Sequence, residues 1–79
     1  MNKIKYIVVK GNPDTMFIFN AWFSHDKFIS RFGLKREDIL SAGFVNLKTK
    51  NCYGISISLN LSSRKEDNNL LSLMYNEED

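Results

Sequence analysis

Two side chains in this 79-residue sequence have the chemistry of a catalyst: Cys52, its only thiol, and His25, its only imidazole. A thiol becomes a nucleophile once a base takes its proton, and His25 is followed by Asp26, a carboxylate of the kind that orients such a base. The spacing does not assemble them. Adjacent residues at a helix start do not face each other, and the triad and oxyanion signatures of acyl transfer are missing. One Cys and one His also fall short of the four ligands a structural zinc needs. The sequence therefore points to no catalytic residue, no metal and no cofactor, and to binding rather than turnover.

A second set can bind an anion. Along 52–60, Cys52, Gly54, Ser56, Ser58 and Asn60 alternate with Tyr53, Ile55, Ile57 and Leu59, so a strand here has an apolar face, extended by Leu61, and a small polar one. Gly54, Ser56 and Ser58 leave backbone and hydroxyls accessible on the polar face. Arg64 stands just past the strand end, where the first amides of a following helix favour negative charge. Together they can seat a phosphate or a small nucleotide, and His25 with Arg31 supplies a further pair of candidate ligand contacts. The plainer reading of this stripe is a solvated outer sheet face followed by an ordinary helix cap.

Aromatic residues make up 13% of the chain, and most are expected in the core of a domain this small. Trp22 and Phe23, beside the Ser24 helix cap, are the two expected to be partly exposed, where they suit a protein partner as well as a nucleic acid. Residues 1–50 carry a net charge of +5 and residues 51–79 carry −3. That asymmetry can steer acidic partners to the first half, and nucleic acid is the alternative partner, although no continuous basic stripe or RNP-like run is present.

These residues must be positioned by one small domain, since 79 residues do not divide into two cores. Residues 1–76 are read as that domain and 77–79 as a solvated acidic tail. The β-branched run near 3–10, the stop at Gly11-Asn-Pro-Asp14 and the aromatic run near 15–20 read as a hairpin. Ser24 caps a helix over 25–32 that Gly33 ends, with Asp26 in its first turn. A single helical turn is expected near 35–38, and Phe44, Val45 and Leu47 favour a strand within 39–47. After the 52–60 strand, Ser63 and Glu66 have the spacing of a capping box for a helix near 64–75, packed through Leu70, Leu71, Leu73 and Met74. The order β-β-α-β-β-α predicts an α+β fold: a four-stranded, mainly antiparallel sheet with two helices on one face. An edge strand and a small polar sheet face also make a second copy of the chain a candidate partner.

The stretches Ser41-Ala-Gly-Phe44, Cys52-Tyr-Gly-Ile-Ser-Ile-Ser-Leu59 and Ser63-Arg-Lys-Glu-Asp67 resemble small uncharacterised proteins of phages, prophages and related mobile elements. In those, the strand reads Cys-Tyr-Gly-x-Ser-x-Ser-Leu and the helix opens Ser-Arg-Pro-Glu-Asp; Lys65 stands here in the proline's place. The resemblance covers roughly the C-terminal half and implies a compact α+β fold in a mobile-element setting, with no activity attached. The expected function is a non-enzymatic binding protein that occupies a host defence or regulatory protein, or sequesters a small nucleotide signal. A nucleic-acid-binding accessory protein is the alternative. The lone cysteine suits a reducing, cytoplasmic compartment. The short apolar run at the start, broken by Lys10 and Gly11, fits neither a signal peptide nor a membrane span.

Overall fold

The computed structural model describes residues 3–75; the acidic tail lies outside them. β1 (Ile4–Val9) and β2 (Thr15–Asn20) form the expected hairpin, whose turn is closed by the Gly11 amide donating to Asp14 Oδ1 at 2.9 Å. Then come α1 (His25–Arg31), a 3-10 turn (Arg36–Asp38) and β3 (Ile39–Asn46). β4 (Asn51–Tyr53), β5 (Ile55–Ser56), β6 (Leu61–Ser62) and α2 (Glu66–Met74) complete the chain. The main sheet has the order β2-β1-β3-β4 and is antiparallel throughout, while β5 and β6 make a small hairpin of their own. The fold is α+β, with a four-stranded antiparallel sheet and two helices.

Helix placement differs from the expected single face. Tyr6, Ile7 and Val8 are all buried, and consecutive residues of a strand are buried together only where both sheet faces are covered. Ile7 packs with Phe19, Phe28, Ile29 and Leu59 beneath α1; Tyr6 and Val8 pack with Met16, Val45, Cys52 and Leu71 beneath α2. The helices therefore cover opposite faces, because each side of β1 presents apolar surface that one layer cannot bury.

The 52–60 segment is also corrected. Gly54 takes φ +82° and Asn60 φ +57°, left-handed conformations that break an extended strand into β4, β5 and a return turn. Alternation is lost at the kink, and the expected faces are exchanged. Cys52 and Ser56 are buried, whereas Tyr53, Ile55 and Ile57 are exposed, Ile57 by 86%. Of that apolar set Leu59 is buried in the core and Leu61 packs half-buried against it; Leu59 is held by the Arg36 guanidinium, which donates to its carbonyl at 2.6 and 3.1 Å.

Of the expected packing side of α2, Leu71 is fully buried, Leu70 is half-buried, and Leu73 and Met74 are exposed. The helix crosses the sheet from edge to edge. On β2, the Met16 amide donates to Met74 Sδ (3.4 Å) and the Met16 carbonyl accepts from Tyr75 Oη (3.1 Å); on β4, the Cys52 amide donates to Asn68 Oδ1 (2.6 Å). Groups that would otherwise template another strand are thus bonded within the chain. A second copy would find no free edge at Met16 or Cys52.

Candidate functional site

Three of the expected ligand residues come together at the start of α1. Ser24 has the extended backbone of a cap, yet its hydroxyl donates to Asp26 Oδ1 at 2.7 Å, and the Asp26 amide donates instead to Ser58 Oγ at 3.3 Å. His25, Ser56 and Ser58, with Lys5, Phe44 and Ile57, line an open depression of about 240 Å³. The ring of His25 sits edge-on to Phe19 and Phe44, and its Nε2–H donates to the Gly43 carbonyl at 2.9 Å, which fixes the tautomer. Gly43 is required there, since a Cβ would lie 2.6 Å from the Tyr53 carbonyl oxygen.

The polar groups of this depression serve the fold. Ser56 Oγ accepts the Leu59 amide at 3.2 Å and lies 3.4 Å from Ser58 Oγ, closing the turn between β5 and β6. Lys5, the cation at the site, donates to the Phe23 carbonyl at 2.9 Å. Gly54 borders the site through Phe44, whose ring stands 2.9 Å from where a Cβ would be. Arg31 is exposed at the far end of α1, and Arg64 is bound on the other face of the sheet, so the anion site expected around Arg64 is not assembled.

Burial lowers the pKa of His25 and the Lys5 charge adds to this, against the opposing Gly43 carbonyl and Asp26. The folded state thus refuses a proton that the unfolded chain accepts near its ordinary value of 6.5. Stability is expected to be complete above that pH, to fall as the pH drops below it, and to level off beneath the lowered folded value. Urea midpoints between about pH 5 and 8 test this: His25→Gln should flatten the slope, and an unchanged slope would refute the assignment.

Cys52 does not meet His25. It packs beside Tyr6 and Leu71 on the α2 face, with the sheet between the two side chains. Its thiol is pushed up to about 11 by burial first and by the Asp67 charge second, the reverse of nucleophile activation. Asp26 is held below the usual carboxylate range chiefly by the Ser24 hydroxyl. Among the described residues, no three His, Cys, Asp or Glu side chains cluster as metal ligands, and no helix is long and apolar enough to cross a membrane.

On the α2 face sits a polar cluster that local sequence rules do not reveal. Asp67, fully buried, accepts from the Tyr6 hydroxyl, from the Arg64 backbone amide at 3.0 Å, and from the Arg64 guanidinium at 2.8 and 3.0 Å. Burial, then the Asp67 carboxylate, pushes the Tyr6 phenol well above its ordinary value, so it stays a neutral donor. The expected Ser63–Glu66 capping box is replaced by this arrangement, in which the reaching acid is Asp67 and the amide it satisfies is that of Arg64. Ser63→Ala is therefore expected to change stability by less than about 0.5 kcal/mol. A loss near 1 kcal/mol in urea unfolding would restore the serine cap.

An aromatic cluster surrounds Phe28 of α1. Phe28 stacks on Phe19 with ring centroids 4.0 Å apart and is surrounded by Phe32 (4.7 Å), Phe17 (6.3 Å) and Phe23 (6.4 Å). Phe17, Phe28, Phe32 and Leu34 line an apolar groove of about 300 Å³. Phe32 is 60% exposed, and Trp22, in the loop before α1, is 88% exposed. Trp22 and Phe23 thus reach the surface where their place beside the cap puts them, while Phe17 and Phe32 extend that surface beyond the expected residues. The signal for Phe32 was present in its i, i+4 spacing from Phe28.

Compared with known proteins, the chain matches no family model, no curated protein and no solved structure.

Proposed function

We propose that this chain is a non-enzymatic binding protein that acts by occupying another protein, docked on the aromatic surface around α1. The observation that carries the reading is the run of exposed rings at Phe17, Phe23 and Phe32 over the buried Phe28, with the exposed Trp22 next to Phe23 in the chain. Exposed aromatics in one patch are the residues that dominate protein interfaces. Separation of His25 from Cys52 by the sheet favours binding over turnover. The resemblance of 41–44, 52–59 and 63–67 to mobile-element proteins favours a host defence or regulatory protein as the partner, with inhibition by occupancy as the mode of action, and the lone cysteine favours a reducing, cytoplasmic setting.

Native mass spectrometry of tagged protein recovered from a host lysate tests this, run beside the folded double variant Trp22→Ala/Phe32→Ala. A stoichiometric protein partner is expected on the wild-type chain and should be lost from the variant. Equal recovery on both would overturn the docking surface, and a bound nucleotide in place of a protein would favour sequestration of a small signal.

A nucleic-acid-binding accessory role is supported by a different patch. Phe44 stacks on Tyr53 at 5.8 Å, and Lys3 Nζ lies 5.1 Å from the Phe44 centroid, a pairing of ring and cation that suits single-stranded bases. Oligonucleotide binding that weakens steeply with salt and is lost in Phe44→Ala would select that reading.

A further inference from the structure

Resting on the α1 docking surface, we infer that the segment seated there is an acidic peptide stretch carrying one large apolar side chain between carboxylates. The groove is lined by Phe17, Phe28, Phe32 and Leu34, so only an apolar group can enter it without leaving a polar atom unpaired. Its volume of about 300 Å³ suits one anchor side chain.

The charged chain neighbours of the groove residues are all basic. Lys27 precedes Phe28, Arg31 precedes Phe32 and Lys35 follows Leu34, so three groove residues each have a basic chain neighbour. Lys27 and Arg31 are four apart on α1, a basic stripe beside the Phe28–Phe32 stripe. All three cations are exposed, and among the described residues the ion pairs belong to Arg64, none to this rim. The carboxylates of this region, Asp26, Glu37 and Asp38, stand two to four residues along the chain from the nearest groove residue, and Asp26 accepts from the Ser24 hydroxyl. An apolar slot flanked in the chain by cations that form no ion pair is complementary to an apolar anchor flanked by Asp and Glu. Nucleic acid shares the charge but not the shape, because the rings here close a concave slot with Leu34 and present no flat stacking platform.

The test uses the whole chain and two fluorescein-labelled synthetic peptides of about a dozen residues. Both carry the same single central tryptophan; one is flanked by Asp and Glu, the other by Lys. Labelled oligo(dT) is the third probe. The acidic peptide is expected to bind at least about tenfold more tightly than the lysine peptide, with affinity falling as salt rises. Phe32→Ala should weaken it about tenfold, and Lys27→Glu/Arg31→Glu should remove or invert the preference. Far-UV circular dichroism and thermal midpoints confirm that both variants remain folded.

Equal binding of the two peptides, or an affinity indifferent to Lys27→Glu/Arg31→Glu, would overturn the inference. So would tighter binding of oligo(dT) abolished by the same substitutions, which would make the surface one for nucleic acid. A lysate partner lost from Phe32→Ala but kept by Lys27→Glu/Arg31→Glu would refute the acidic segment and leave the docking surface standing. A partner kept by both would refute the docking surface as well.

Discussion

Asp67→Ala is expected to lower the free energy of unfolding by about 3–5 kcal/mol, the cost of removing one partner from a buried charged cluster. The carboxylate has no exposure and accepts from three groups in two parts of the chain, so its loss is felt three times. The Tyr6 hydroxyl is left buried without an acceptor, the Arg64 amide at the start of α2 loses its acceptor, and the guanidinium loses a bidentate partner. Arg64 keeps 28% side-chain exposure and can turn toward water, which limits its share. A domain of this size holds a net stability on the order of 5 kcal/mol, so the variant should be largely unfolded at physiological temperature.

Two companions separate the contributions. Asp67→Asn keeps an acceptor and loses the charge, and should cost about 1.5–3 kcal/mol; Tyr6→Phe removes one bond and leaves the Arg64 pair, and should cost about 1 kcal/mol. Urea unfolding followed by far-UV circular dichroism measures all three. An Asp67→Ala loss below about 1 kcal/mol would show that the cluster does not hold α2 on the sheet.

That cluster also marks where local reading stops. Tyr6 and Asp67 are 61 positions apart, and nothing near either residue indicates that they meet. The β1–β2 hairpin, α1 and the 3-10 turn were legible because their signals are local: β-branched runs, a turn at 11–14, a serine cap. The consecutive burial of Tyr6, Ile7 and Val8 was also written in the sequence, as an unbroken apolar run that only a strand covered on both faces requires. Two helices on one face would have left one side of that run uncovered. The 52–60 segment misled for the opposite reason, since its alternation is real in the sequence but is interrupted by backbone geometry at Gly54. Ser56 and Ser58 do line one depression with His25, yet their hydroxyls close a turn and satisfy an α1 amide, roles that depend on how β5 and β6 fold back.

Phe28→Ala is expected to cost about 3–5 kcal/mol, because it empties the centre of the five-ring cluster that joins the core to the proposed docking surface. Phe28 is 8% exposed and stacks directly on Phe19 of β2, so no neighbouring side chain can move in without breaking the layer beneath α1. Phe28→Leu, which keeps an apolar group of smaller volume, should cost about 1–2 kcal/mol. Phe32→Ala, at the exposed rim, should cost about 1 kcal/mol, the worth of a single ring contact. Thermal and urea unfolding of the three variants should therefore rank them Phe28→Ala, then Phe28→Leu, then Phe32→Ala. Equal losses at Phe28 and Phe32 would mean that the outer ring belongs to the core and is not available to a partner. The expected separation means that a binding defect in Phe32→Ala reports on the surface, whereas one in Phe28→Ala would report on the loss of the fold that presents it.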